Sequence, residues 1–240
     1  MFFYLKKYDI ISIIVLILFI IFISIIIAFC YNSVSTSALP INRKTIIIDA
    51  GHGLPDGGAI GINGTVEQQL NLEISIKLQK MLEQSGAKVV LTRSDENAIY
   101  INKSEKLRKN KLNDMKTRKE IIDSVNADIF VSIHMNKFEQ SKYHGAQVFY
   151  SNYPQKSKIL AETVQQNIKQ LTDNSNNRKI KMKNDIFLLK NCQIPSILIE
   201  CGFLSNPQEE QQLNDDAYQT KIVYSIYHGI LDYFETEKKA

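Results

Sequence analysis

The 240-residue sequence has only three cysteines, and one of them, Cys30, ends a long hydrophobic run. A disulfide scaffold needs a denser and usually even set, so the fold must rest on its core, and Cys192 and Cys201 are expected to remain unpaired. No Cys-x-x-Cys spacing occurs. That excludes a sulfur-ligated zinc site and leaves nitrogen and oxygen donors for any metal. Five prolines and ten glycines are too few for a collagenous chain, and 44% hydrophobic with 22% charged residues excludes a wholly disordered one. Neither sign of charge dominates. With 29 Lys and Arg against 25 Asp and Glu, the net +4 is no footprint for nucleic acid.

The run from Ile10 to Cys30 is interrupted only by Ser12 and Ser24. It is long enough to cross a hydrocarbon layer of ~30 Å. Lys6 and Lys7 precede it, and no basic residue follows until Arg43, so the positive-inside rule puts the amino-terminal arm in the cytoplasm and the remainder outside. Cleavage after Ala38 is one outcome. The apolar core exceeds the ~7–15 residues of a typical signal, which favours a retained anchor. Residues 1–42 thus read as a membrane anchor or signal segment with a Ser-rich tether, and residues 43–240 as one domain.

Within that domain, short β-branched runs (TIIID from Thr45, VVLT, IFVSIH, AQVFYS, SILIEC) alternate with helical patterns. Leu70, Ile74, Leu78 and Leu82 form one apolar stripe; Ile121, Ile122 and Val125 a second; Leu160, Val164, Ile168 and Leu171 a third; Ile222, Ile226, Ile230 and Phe234 close the chain. The expected architecture is α/β, a single domain with a mostly parallel central sheet flanked by helices, preceded by the amino-terminal hydrophobic helix. No internal repeat is visible, and the one alternating pattern leaves no room for an appended binding module. Ser104 to Lys116, with five Lys or Arg among thirteen residues, reads as a solvated loop or irregular helix.

The first strand ends in DAGHGLPDGG, with His52 between Gly51 and Gly53. Ligands gather beyond the carboxyl ends of strands in open α/β sheets. Glu67 follows in the first turn of a helix whose Thr65-x-x-Gln68 pattern predicts a capping box, and His134 ends IFVSIH. Two imidazoles and a carboxylate are a donor set that hydrolytic zinc uses, with a fourth position left for water. Glu200, at the end of an apolar strand, is a carboxylate whose burial would raise its pKa toward that of a useful general base and acid. Each residue alone has an ordinary reading: a glycine-flanked loop histidine, or a glutamate beside a helix dipole. Their joint placement is what points to a site. Asp49 and Asn136 lie next to these positions and are expected to orient them or to serve structural pairing, Arg93 to contact substrate or, by preference, to form a structural ion pair, and His144 and His228 to take no part.

Taken together, TIIIDAGHG, Glu67 in GTVEQQLNLEISIKL, LTRSD, ADIFVSIHMN, GAQVFYS and PSILIECGFLSNPQEEQQL resemble the zinc-dependent N-acetylmuramoyl-L-alanine amidases of the amidase-3 family, over roughly Lys44 to Tyr233. The resemblance implies one Zn2+ held by His52, Glu67 and His134, with Glu200 catalytic, and hydrolysis of the amide between the lactyl group of muramic acid and L-alanine in peptidoglycan. A short chain with an amino-terminal hydrophobic segment and no wall-binding repeats looks like the germination-specific amidases of spore formers, which act on cortex toward muramic-δ-lactam. A vegetative turnover or division amidase shares those features, and a non-catalytic peptidoglycan-binding regulator is the rival of another class. An accessory activator protein is compatible with either enzyme. The stretch from Arg108 to Lys116 departs from the family's usual pattern.

Overall fold

In the computed structural model, residues 7–33, 39–190 and 192–239 are described; the expected cleavage point at Ala38, part of the expected tether (34–38) and Lys6 lie outside them. Two compact units divide at Ala38 and Leu39. The first contains helix α1, Lys7–Ser33. Its stretch Asp9–Ile27 is long and apolar enough to cross a membrane.

The second unit contains, in order, β1 (Thr45–Ala50), α2 (Glu67–Gln84), β2 (Lys88–Leu91), α3 (Leu107–Ser124), β3 (Ile129–Asn136), β4 (Gln147–Tyr150), α4 (Lys156–Asn167), β5 (Lys181–Met182), β6 (Ser196–Phe203), α5 (Pro207–Leu213) and α6 (Asp216–Lys239). The strands form one sheet in the order β2-β1-β3-β6-β4-β5. The pairs β1 with β2, β1 with β3, and β3 with β6 are parallel, while β4 runs antiparallel to β6. This is the mostly parallel α/β sheet that alternating patterns predict. Residues 39–42 join the folded unit, with Ile41 fully buried.

Alternation along the strands divides the core. Ile46, Ile48, Val131, Ile133, Ile197 and Ile199 pack with the apolar stripes of α2, α4 and α6. On the opposite face, Ile47, Phe130 and Leu198 pack with Ile122 of α3 and with Leu188, Leu189 and Cys192. His134 and Glu200 share the second face, lying an even number of residues from Phe130 and Leu198. Cys192 and Cys201 are both buried free thiols.

Three local expectations differ from what the chain does. The capping box does not form: the residue before α2 is Val66, without a side-chain cap. Instead the backbone carbonyls of Ala59 and Gly57 accept from the N–H groups of Glu67 and Gln68 at 2.9 and 3.0 Å, so no hydroxyl is needed. The lysine-rich stretch is loop only up to Lys106, because Leu107 onward belongs to the regular helix α3. Its buried stripe is Asn110, Asp114 and Arg118, polar where a hydrophobic search looks for leucine. Beyond α4 the helix widens into a π-helical turn, Ile168–Thr172, and Leu171 is left exposed. The two-residue β5 and the short α5 have no periodicity long enough to predict.

The polar stripe of α3 ties the sheet to the loops around it. Asp114 accepts from the backbone of Ile99 at 2.7 Å and Tyr100 at 3.1 Å. Arg118 is 1% exposed and pairs with Asp49 of β1 at 2.6 Å and Asp114 at 2.7 Å. Asp49 also accepts from Thr92 and Ser132, each at 2.7 Å. Burial alone would raise the Asp49 carboxyl, but Arg118 and the two hydroxyls bring it down to about 2. Because that lies below the ordinary 3.8, protonation favours the unfolded chain. The Asp49 contribution is complete above about pH 3.8 and is lost as pH falls toward 2. Replacing Arg118→Met strands a buried carboxylate and is expected to cost about 3–5 kcal/mol in urea unfolding at pH 7. The deficit should shrink below pH 4, whereas a pH-independent loss would mean that packing, not charge, is what Arg118 supplies.

Candidate metal centre

His52 follows β1 in a left-handed conformation, φ 61°, which non-glycine residues seldom adopt. The turn is held from outside. Arg93 donates to the carbonyls of Ala50 (2.8 Å), Gly51 (2.9 Å) and Gln68 (2.8 Å). Arg118 donates to Ala50 at 2.8 Å and to the carbonyl of His52 itself. Arg93 is thus structural as expected, though through carbonyls rather than an ion pair. Burial, with Arg118 nearby, brings its pKa down to about 10.

Glu67, the first residue of α2, is 3% exposed. Its Oε2 accepts from Ala59 N at 2.8 Å, and its Oε1 from Met135 N at 3.1 Å. That second oxygen stands 3.3 Å from His52 Nε2 and 3.0 Å from His134 Nδ1. The loop leading to it is fastened by Glu210 of α5, which accepts from the backbone of Asn63 at 3.0 Å and Thr65 at 3.2 Å. His134 lies two residues before the end of β3, where the register with β6 shifts, a place where bulges commonly re-aim a side chain.

The three side chains converge: one ligand atom from each lies within 4.8 Å of the others. Although burial disfavours its charge, hydrogen bonds from His134 and His52 hold Glu67 well below the ordinary carboxylate range. Burial likewise opposes protonation of His52, but Asp56 and Glu67 raise its pKa to about 9. The pocket therefore draws positive charge to its centre. Two imidazole nitrogens and a carboxylate oxygen fit a divalent cation such as zinc in donor type and number.

Glu200 of β6 sits directly opposite His134 in the parallel register and opposite Gln147 on its other side. Its Oε2 is buried with no hydrogen-bond partner among the described residues. Burial raises its carboxyl to about 7, outweighing the nearby histidines. A group poised there can both take and give a proton near neutrality.

Sequence reasoning missed the partner of His52. Asp56 receives Nδ1 of His52 at 2.9 Å and is itself paired with Lys111 of α3 at 2.9 Å, so Nε2 is left for the centre. An aspartate four residues after the histidine was the available signal. Asp49, by contrast, touches no ligand and pairs with Arg118, Thr92 and Ser132. Asn136 contributes its backbone carbonyl, which accepts from Leu204 at 2.8 Å. His228 packs beside Tyr224 and Tyr227, and His144 offers its carbonyl to Arg178; neither joins the cluster.

The sequence profile of the N-acetylmuramoyl-L-alanine amidase family matches residues 46–232. The germination-specific N-acetylmuramoyl-L-alanine amidase of Bacillus subtilis is 36% identical over 201 residues, 84% of each chain. The CwlD amidase of Clostridioides difficile, solved in complex with the GerS lipoprotein, is 48% identical with a TM-score of 0.79, covering 81% of this chain and 100% of that one. The amidase AmiC2 of Nostoc punctiforme is 31% identical with a TM-score of 0.70, covering 80% and 97%. The chain belongs to the amidase-3 family of N-acetylmuramoyl-L-alanine amidases, hydrolases of peptidoglycan.

Proposed function

We propose that this amidase is a single-zinc enzyme of the spore cortex, cleaving the lactyl–L-alanine amide as a step toward muramic-δ-lactam. The observation that carries the chemistry is the single oxygen of Glu67 facing both His52 and His134, with Glu200 in register beside them. His52, Glu67 and His134 would hold the ion. Zinc bound there supplies a Lewis acid that polarises a carbonyl and acidifies water.

The remaining work falls to the chain's own groups. Glu200, with its free buried oxygen, takes a proton from the attacking water as oxygen bonds to the lactyl carbon. It then delivers that proton to the L-alanine nitrogen as the carbon–nitrogen bond breaks. Asp56 keeps the Nδ1 proton of His52 in place, so the ring's other nitrogen would be free to hold the ion. The cortex role is supported by similarity to a germination-specific amidase and to CwlD. The latter's complex with a lipoprotein also supports an accessory protein partner here. Helix α1, apolar over Asp9–Ile27, supports an anchor with the enzyme on the extracytoplasmic side.

Three outcomes are expected. The first comes from mass spectrometry of fragments released from cortex peptidoglycan by the zinc-loaded full-length chain with its accessory partner: stem peptides with a free amino-terminal L-alanine. Glu200→Gln should lower that release at least about 100-fold while still binding zinc; peptides cut internally would instead indicate a peptidase, and faster release from vegetative wall a turnover enzyme. The second concerns Gly51, where an added Cβ would overlap the His134 ring. Gly51→Ala is expected to weaken zinc about 10–100-fold in chelator competition, and unchanged affinity would remove His134 from the ligand set. Third, the full-length protein should fractionate with membranes at its intact mass; a mature chain beginning after Ala38 would identify a cleaved signal.

A further inference from the structure

The cleft across the site has two ends that differ in charge. Towards α3 a hollow of about 210 Å³ is lined by His52, Met115, Ile186 and Leu188 together with charged groups that are already paired. Lys111 is paired to Asp56, and Arg118 to Asp49 and Asp114. Towards β4 and β5 a larger hollow of about 500 Å³ is lined by Glu200, Gln147, Phe149, Arg178, Lys181 and Lys183 among others. The two share His134, Ile186 and Leu198, so they form one trough with the candidate metal centre between them.

Sheet register explains the cations. Gln147 stands opposite Glu200, and Phe149 opposite both Leu198 and Lys181. Lys181 and Lys183, two residues apart, therefore share the face that carries Glu200, while Met182 points away. Among the described residues neither lysine makes an ion pair; Lys183 lies 5.4 Å over the Phe149 ring. Arg178 is fastened by the carbonyl of His144 at 2.7 Å and stacks 4.4 Å from Phe203. Glu200 is the one acidic side chain lining this end among the described residues.

The substrate is charged on one side of its scissile bond only. The carboxyl of muramic acid is consumed in the amide and its acetamido group is neutral, whereas the stem peptide carries the free α-carboxylate of its γ-linked D-glutamyl residue. We propose that the stem peptide lies toward β5, with Lys181 and Lys183 as the subsite for this carboxylate and Arg178 held beside them by the His144 carbonyl, and that the uncharged glycan lies toward α3. The assignment rests on the amidase reading of the same centre. Spacing agrees: the carboxylate sits about 7 Å beyond the scissile nitrogen, and β5 is two strand spacings, roughly 10 Å, from Glu200, within the reach of a lysine side chain.

The test is binding of two product peptides to the zinc-loaded full-length chain in detergent, by titration calorimetry or NMR: L-alanyl-γ-D-glutamyl-L-lysine and its D-isoglutamine analogue, which differ only in that carboxylate. The acid is expected to bind roughly three- to tenfold more tightly, and K181Q/K183Q, with zinc stoichiometry and circular dichroism unchanged, to abolish the preference. Equal affinity for the two peptides, absent binding of both, or a preference that survives the double substitution each overturns the subsite. Failure of the amidase reading is seen separately, as no release of L-alanine-ended peptides while the lysine-dependent preference persists.

Discussion

Arg118 is the interaction on which the rest of this domain's geometry depends. Its guanidinium joins α3 to β1 through Asp49 and closes the turn at His52 through two backbone carbonyls. A buried ion pair is poor evidence of net stability, since desolvation offsets most of its attraction. Here its value is positional. His52 occupies a left-handed backbone conformation that costs free energy unless neighbouring contacts enforce it, and Arg118 and Arg93 provide those contacts, both donating to the Ala50 carbonyl. Helix α3 is polar on its buried face because what it grips is polar: carbonyls, a carboxylate and loop N–H groups.

Two glutamates in adjacent positions show how environment assigns different chemistry to one residue type. Glu67 receives backbone N–H groups on both oxygens and faces two imidazoles, so its charge is favoured despite burial. Glu200 has a buried oxygen without a hydrogen-bond partner among the described residues, so burial dominates and its carboxyl rises to about 7. The pattern is that of sites in which two carboxylates are pushed apart so that one binds charge and the other carries protons.

Charge in the trough follows the same economy. Of the residues lining the α3 side, the two cations, Lys111 and Arg118, have acidic partners, and those pairs hold Asp56 and the β1 turn in place. On the β5 side Lys181, on the edge strand, and Lys183, just beyond it, stand without ion pairs among the described residues, and charged side chains are common at such edges because they also discourage strand addition. The asymmetry gives a polymer with one charged branch a single favourable orientation.

Much of this was legible in the chain itself. The strand runs, the stripes of α2 and α6, and His52, Glu67, His134 and Glu200 follow from periodicity and from motifs, because hydrophobic alternation and donor chemistry are written in residue types. What was not legible was carried by pairs distant in sequence. Arg118 meets Asp49, Lys111 meets Asp56, and Glu210 holds the loop before Glu67, each across tens of residues or more. The lysine-rich segment looked solvated because a polar buried stripe has no hydrophobic period. The capping box failed because a backbone loop reached the helix start first. Sequence determined which side chains could do chemistry here. Only the tertiary structure decided which of them meet, because convergence depends on sheet register and on long-range polar pairs that local patterning does not encode.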